Sequence, residues 1–123
     1  MSIPALGSTV HARTEVVTAT DLSVCGALSG EASPRPLGIA FVLALRAVIE
    51  SAALPDGAIM LGHGATWHEE PRPGTFRTEM SIRAAAPPRT RYQRVVIGYR
   101  TTAIEDGRLV LEQEQEVLWP VTA

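Results

Sequence analysis

The chain contains no lysine, and all eleven of its basic residues are arginine. Thirteen acidic residues leave a formal charge of −2. That balance gives no general argument for nucleic acid. Cys25 is the only cysteine. It excludes an intramolecular disulfide and a cysteine-rich zinc site. The longest apolar run, Leu37 to Ala53, contains Arg46 and Glu50 and is too short to span a bilayer comfortably. The opening "MSIPALGSTV" has neither a basic region nor a long apolar one, so it does not read as a secretory signal. There are no internal repeats or low-complexity tracts. A soluble cytoplasmic protein is expected.

What is present suits one domain over residues 1–123. Apolar residues make up 46% of the chain, enough for a single core. Residues 8–17 have strand character. In "TATDLSVCGALSG", Thr18 and Asp21 stand at the offset of a capping box, with Asp in place of Glu. Leu22, Cys25 and Leu28 then share a helical face, and Cys25 reads as core. Gly30 is a plausible stop. Pro34 and Pro36 disfavour helix in the next stretch. "GIAFVLALRAVIESAAL" is apolar nearly all round, so this helix is expected to be buried on most sides by a surrounding sheet, with Leu43 and Ile49 inside. Arg46 and Glu50, four apart, are expected to pair on one stripe.

After Pro55-Asp56-Gly57 the pattern turns to strands. Phe76, Thr78, Met80 and Ile82 alternate with Arg77, Glu79, Ser81 and Arg83. Near the end, Leu111, Gln113, Gln115 and Val117 alternate with Glu112, Glu114 and Glu116. The glutamates read as a solvated face that arginines on neighbouring strands can pair. The fold class is α+β: a long central helix wrapped by an antiparallel sheet of about five strands.

This pattern resembles a single hotdog fold, in its MaoC-like branch of (R)-specific enoyl hydratases and 3-hydroxyacyl-thioester dehydratases. The resemblance runs over residues 8–120. It rests on "TATDLSVCGALSGE", on "PDGAIMLGHGATWHEEPRPGTFRTEMSI" and on "EDGRLVLEQEQEVLWP". The family's catalytic loop, Gly-Asp-x-Asn-Pro-x-His, falls on Gly30, Glu31, Ala32, Ser33, Pro34, Arg35 and Pro36. Gly30 and Pro34 match. Glu31 replaces the aspartate, Ser33 the asparagine and Pro36 the histidine. Leu37-Gly38 keeps only the glycine of the family's His-Gly.

The resemblance implies an acyl-thioester-binding protein, with the thioester carried by coenzyme A or an acyl carrier protein. It implies Ser33 and the helix N-terminus at Gly38 and Ile39 as substrate contacts, no cofactor, no metal, and a dimer with another hotdog subunit. Proline has no titratable group, so the dyad for syn-dehydration is degenerate. Glu31 is a candidate acid/base. His63, beside two small residues in "LGHGA", is the candidate substitute for the lost histidine. His63 and His68 are an odd spacing apart on one strand, so they should face opposite ways and not share a metal. His11 is a weaker candidate. Arg89, Arg91 and Arg94 in "APPRTRYQR" could meet a carrier's acidic surface or its phosphopantetheine phosphate. The expected role is a degenerate subunit of a 3-hydroxyacyl dehydratase. The alternatives are a hotdog thioesterase using Glu31 or a residue across the dimer, and a non-catalytic binding or scaffold subunit.

Overall fold

A computed structural model describes residues 3–23, 37–89 and 91–121. Its core is one antiparallel sheet of five strands: β1 (Thr9–Val17), β2 (Ile59–Trp67), β3 (Gly74–Ala85), β4 (Tyr92–Ala103) and β5 (Leu109–Pro120). Their spatial order is β1-β3-β4-β5-β2, so β1 and β2 form the two edges. The single long helix, α1 (Leu37–Ser51), lies against one face.

Alternation decides which side chains face that helix. On β3, Phe76, Thr78, Met80 and Ile82 are all buried. On β5, Leu111, Gln113, Gln115 and Val117 are buried. The glutamates between them pair outward, Glu112 and Glu114 with Arg83, and Glu116 with Arg94. The arginine-paired solvent face read from the sequence is what forms. Arg83 lies across Gly98 on this face, where an added Cβ would stand 2.5 Å from its Cγ and Cδ.

The helix buries Ile39, Ala40, Leu43, Ala44, Ala47 and Val48, a stripe at helical spacing. Its alanines allow close approach to the sheet. Two apolar clusters result. Ile39, Ala40 and Leu43 pack with Val17, Trp67, Phe76, Ala103, Val110 and Leu111. Ala44, Ala47 and Val48 pack with residues of β3, β4 and β5, among them Ile82, Val95, Ile97 and Trp119.

Two expectations about α1 are corrected. Ile49 is 69% exposed, whereas Leu43 is 3% exposed. Ile49 follows the buried stripe by one residue, so it turns about 100° away from it. Arg46 and Glu50 do not pair with each other. The concave side of β1 offers closer partners: Arg46 binds Glu15 at 2.5 Å, and Glu50 binds both Arg13 and His11. Arg13 on the strand lies between Glu15 and Glu50, and Arg46 reaches Glu15 from the helix flank.

The capping box forms. The Thr18 N–H donates to Asp21 Oδ2 at 2.8 Å, and the Asp21 N–H donates to Thr18 Oγ1 at 3.0 Å. The Thr18 backbone bond, then the hydroxyl bond, lowers the Asp21 pKa. Residues 19–23 are helical, and Leu22 packs against the cluster holding Ile39. Cys25, Leu28 and Gly30 lie outside the described residues.

Candidate functional site

The N-terminal end of α1 opens on an apolar cavity of about 10 Å³. Ile39 and Leu43 line it from the helix, Leu22 from the preceding helical turn, and Val17, Trp67, Phe76 and Val110 from the strands. No acidic side chain occupies the first turn of α1. The positive end of the helix dipole is therefore not neutralised from within the helix. First-turn N–H groups have no intrahelical acceptor, and such groups can bind an oxygen bearing partial negative charge.

Polar groups at this cavity are few and specific. Thr101 lines it and is 1% exposed. Its hydroxyl is 2.9 Å from that of Thr78. One hydroxyl proton serves that bond, leaving a second donor in the pair. Trp67 is 9% exposed, and its indole Nε1–H has no acceptor among the described residues.

The rim is tied by charges. Arg72 lines the cavity and donates to Asp106 at 3.0 Å. That bond raises the Arg72 pKa further. The Asp106 carboxyl is held below its ordinary range first by the Arg108 backbone N–H, which donates to Oδ1 at 3.0 Å. Glu105 is lowered first by the Thr75 N–H at 3.0 Å. The β2–β3 turn is thus fixed to the β4–β5 turn.

A second polar group lies further along the concave face. Tyr99 donates to Gln115 Oε1 at 2.5 Å, and burial pushes its phenol pKa well up. His63 Nε2 and Gln113 Oε1 are 2.7 Å apart. His68 pairs with Glu112 on the outer face, so the two histidines do face opposite ways. Among the described residues no metal-binding cluster occurs.

The sequence candidates separate. Glu31 and Ser33 lie outside the described residues. Gly38 and Ile39 stand in the first turn of α1, with Ile39 at the cavity. His63 sits four residues along β2 from Trp67, about 13 Å of strand. It is not brought to the helix N-terminus. Glu50 lies near the other end of α1 and is tied to Arg13 and His11, away from the cavity. Arg89, Arg91 and Arg94 do come together, around a concavity of about 550 Å³ that Pro87, Tyr92 and Leu118 also line. It belongs to the β3–β4 hairpin, whose flanking strands pack on the C-terminal half of α1. The length of α1, about 22 Å, separates the two ends.

No protein-family model matches the sequence, and no curated protein matches it. Solved structures do. A MaoC-like dehydratase from Rhodospirillum rubrum superposes with a TM-score of 0.69 at 20% identity, over 97% of this chain and 95% of that one. The R-hydratase PhaJ1 from Pseudomonas aeruginosa gives 0.58 at 20%, over 96% and 83%. The HadBC (3R-hydroxyacyl-ACP dehydratase) complex from Mycobacterium tuberculosis gives 0.60 at 14%, over 92% and 99%.

The chain has the hotdog fold.

The helix of this hotdog is α1, and its N-terminus is where the described residues place an apolar cavity with buried donors. Sequence reasoning missed Trp67, Thr101 and Arg72. Thr101 stands between buried Tyr99 and Ala103 on β4, so alternation alone points its hydroxyl into the hotdog core. Trp67 carries no comparable sign, because its indole is apolar enough to pass as core.

Proposed function

We propose that this hotdog chain binds acyl thioesters of coenzyme A or a carrier protein and belongs to the MaoC-like dehydratases and hydratases. It serves 3-hydroxyacyl dehydration as a degenerate subunit whose hotdog partner supplies the Asp/His pair. The observation that carries this reading is the apolar cavity at the N-terminus of α1, whose first turn carries no acid. A thioester carbonyl seated there is polarised by the first-turn N–H groups. That acidifies the α-proton, which a base must remove as the β-hydroxyl leaves as water. In this chain the matched loop retains Glu31 but has Pro36 where a proton carrier is needed.

The open edge at β2 supports a second subunit. Ile59, Met60 and Leu61 are each at least 40% exposed, and the strand carries no Asp, Glu or Arg. Such an edge is a template for another strand. Arg89, Arg91 and Arg94 offer a surface to the carrier's acidic face or to the phosphate of its arm. No helix among the described residues is long and apolar enough to cross a membrane.

The test is hydration of crotonyl-CoA by the purified chain. It should be slow, because losing a positioned acid/base costs about 10²–10⁴-fold. Glu31→Gln should change it little. Activity should rise with a hotdog partner whose own histidine is essential. Rapid turnover by the isolated chain, abolished by Glu31→Gln, would defeat the degenerate-subunit reading and make His63→Ala the next variant to measure. Release of free thiol from acyl-CoA would identify a thioesterase instead.

A further inference from the structure

We infer that Trp67 is a specificity-determining residue of this cavity, donating its indole N–H to an oxygen substituent on the acyl chain, and that the site selects short 3-hydroxyacyl thioesters. The inference rests on the thioester reading above and goes further in assigning a residue and a chain length. Three observations converge. The Nε1–H of Trp67 is buried and has no acceptor among the described residues. Buried donors are seldom left unpaired, and each one that is asks for a partner. The cavity that Trp67 lines has about the volume of a single water-sized group, so an entering acyl group must displace its walls, and a short chain displaces them least. Its other buried polar lining residue, Thr101, belongs to a hydroxyl pair with one proton to spare.

The chemistry then follows from valence. The α1 N–H groups take the thioester carbonyl, so the sheet-side donors meet a second oxygen. An indole N–H can only donate. A ligand hydroxyl can accept from Trp67 and from Thr101 at once. A plain alkyl chain leaves both donors as they are.

Trp119 provides an internal control. Its Nε1 is also buried without a partner among the described residues, but it packs in the other cluster, with Ala47, Val48 and Val117. A ligand in the α1 N-terminal cavity should affect Trp67 and not Trp119.

The experiment titrates the purified full chain with (R)-3-hydroxybutyryl-CoA and butyryl-CoA by calorimetry, for wild type and Trp67→Phe. Wild type should bind the hydroxylated ligand about fivefold more tightly, the factor one typical hydrogen bond supplies. Trp67→Phe should lose more affinity for the hydroxylated ligand than for butyryl-CoA, and its circular dichroism should match that of wild type. Equal wild-type affinities, or equal weakening of both ligands by the variant, would overturn the assignment and leave Trp67 as a wall. Binding of neither ligand by wild type would instead overturn the thioester reading beneath it. Should Trp67→Phe not fold, the two indole ¹H–¹⁵N resonances of wild type, assigned with Trp119→Phe, decide the matter. The Trp67 signal must move with (R)-3-hydroxybutyryl-CoA and not with butyryl-CoA, and a stationary signal refutes the hydrogen bond.

Discussion

The hydroxyl of Tyr99 donates to the side-chain oxygen of Gln115 inside a sheet face that is otherwise mostly apolar, and both residues are fully buried. Removing one partner strands the other. Tyr99→Phe should lower stability by about 1–3 kcal/mol, the cost of a buried unsatisfied group. Adding Gln115→Met should recover most of the loss, because two apolar partners leave nothing unpaired. Melting temperatures of the single and double variants at one protein concentration check this. A double variant as unstable as the sum of the two singles would contradict it.

The same tyrosine sets a behaviour in alkali. Burial raises its pKa in the folded chain above the ordinary 10.0. Its contribution is therefore complete below about pH 10 and is lost as pH rises further, where only the unfolded chain releases the proton. Urea midpoints between pH 9 and 11 should fall less steeply for Tyr99→Phe than for wild type.

Leu43 and Ile49 should respond oppositely to the same change. Leu43→Asp buries an unpaired carboxylate, at a cost of several kcal/mol that rivals the whole stability of a small domain. It should yield insoluble or unfolded protein. Ile49→Asp places the charge where the helix is open to water, so the chain should still fold and melt cooperatively. Expression, solubility and circular dichroism of the two variants decide this.

The β2 edge should govern association. At micromolar concentration the chain should sediment as more than its 13.2 kDa. Leu61→Lys puts a charge on the open strand, a device that natural edges use to prevent pairing. It should shift the sedimentation coefficient to the monomer's without changing the circular dichroism. Unchanged association would move the contact elsewhere.

Acid should loosen the cavity rim before the core. Asp106 and Glu105 are held below their ordinary values by N–H donors, so their contribution is present above those values and declines as pH falls through the folded ones. Both are exposed, so the effect is small. Protection of the Thr75 and Arg108 amides, relative to their intrinsic exchange, should fall below about pH 4 ahead of protection at Ile97. Asp106→Asn should remove most of that early change at Arg108.

The sheet was legible because strand alternation repeats the same instruction several times. Phe76, Thr78, Met80 and Ile82 each place the next, and the glutamates of β5 announce their own face. The Thr18–Asp21 box was legible because it is local. The orientation of α1 was not. A helix apolar on nearly every side gives little sign of which flank stays wet, and so Ile49 was placed inside. Arg46 and Glu50 look like partners at helical spacing, but their true partners come from β1, more than thirty residues away. Sequence spacing carries no information about such a pairing. Trp67 illustrates a further limit, since whether its N–H finds an acceptor depends on packing rather than on pattern.

The two margins of the sheet differ in a way that bears on how far this protein can aggregate. β1 turns His11, Arg13 and Glu15 toward α1 and laces itself to the helix, while β2 is left bare of fixed charge. A building block with two adhesive sides extends indefinitely, as a fibre does. A block with one adhesive side stops after a single step, whether it meets its own copy or a different chain. If the proposed pairing runs through β2, adhesion confined to that margin would make two the natural end point of assembly.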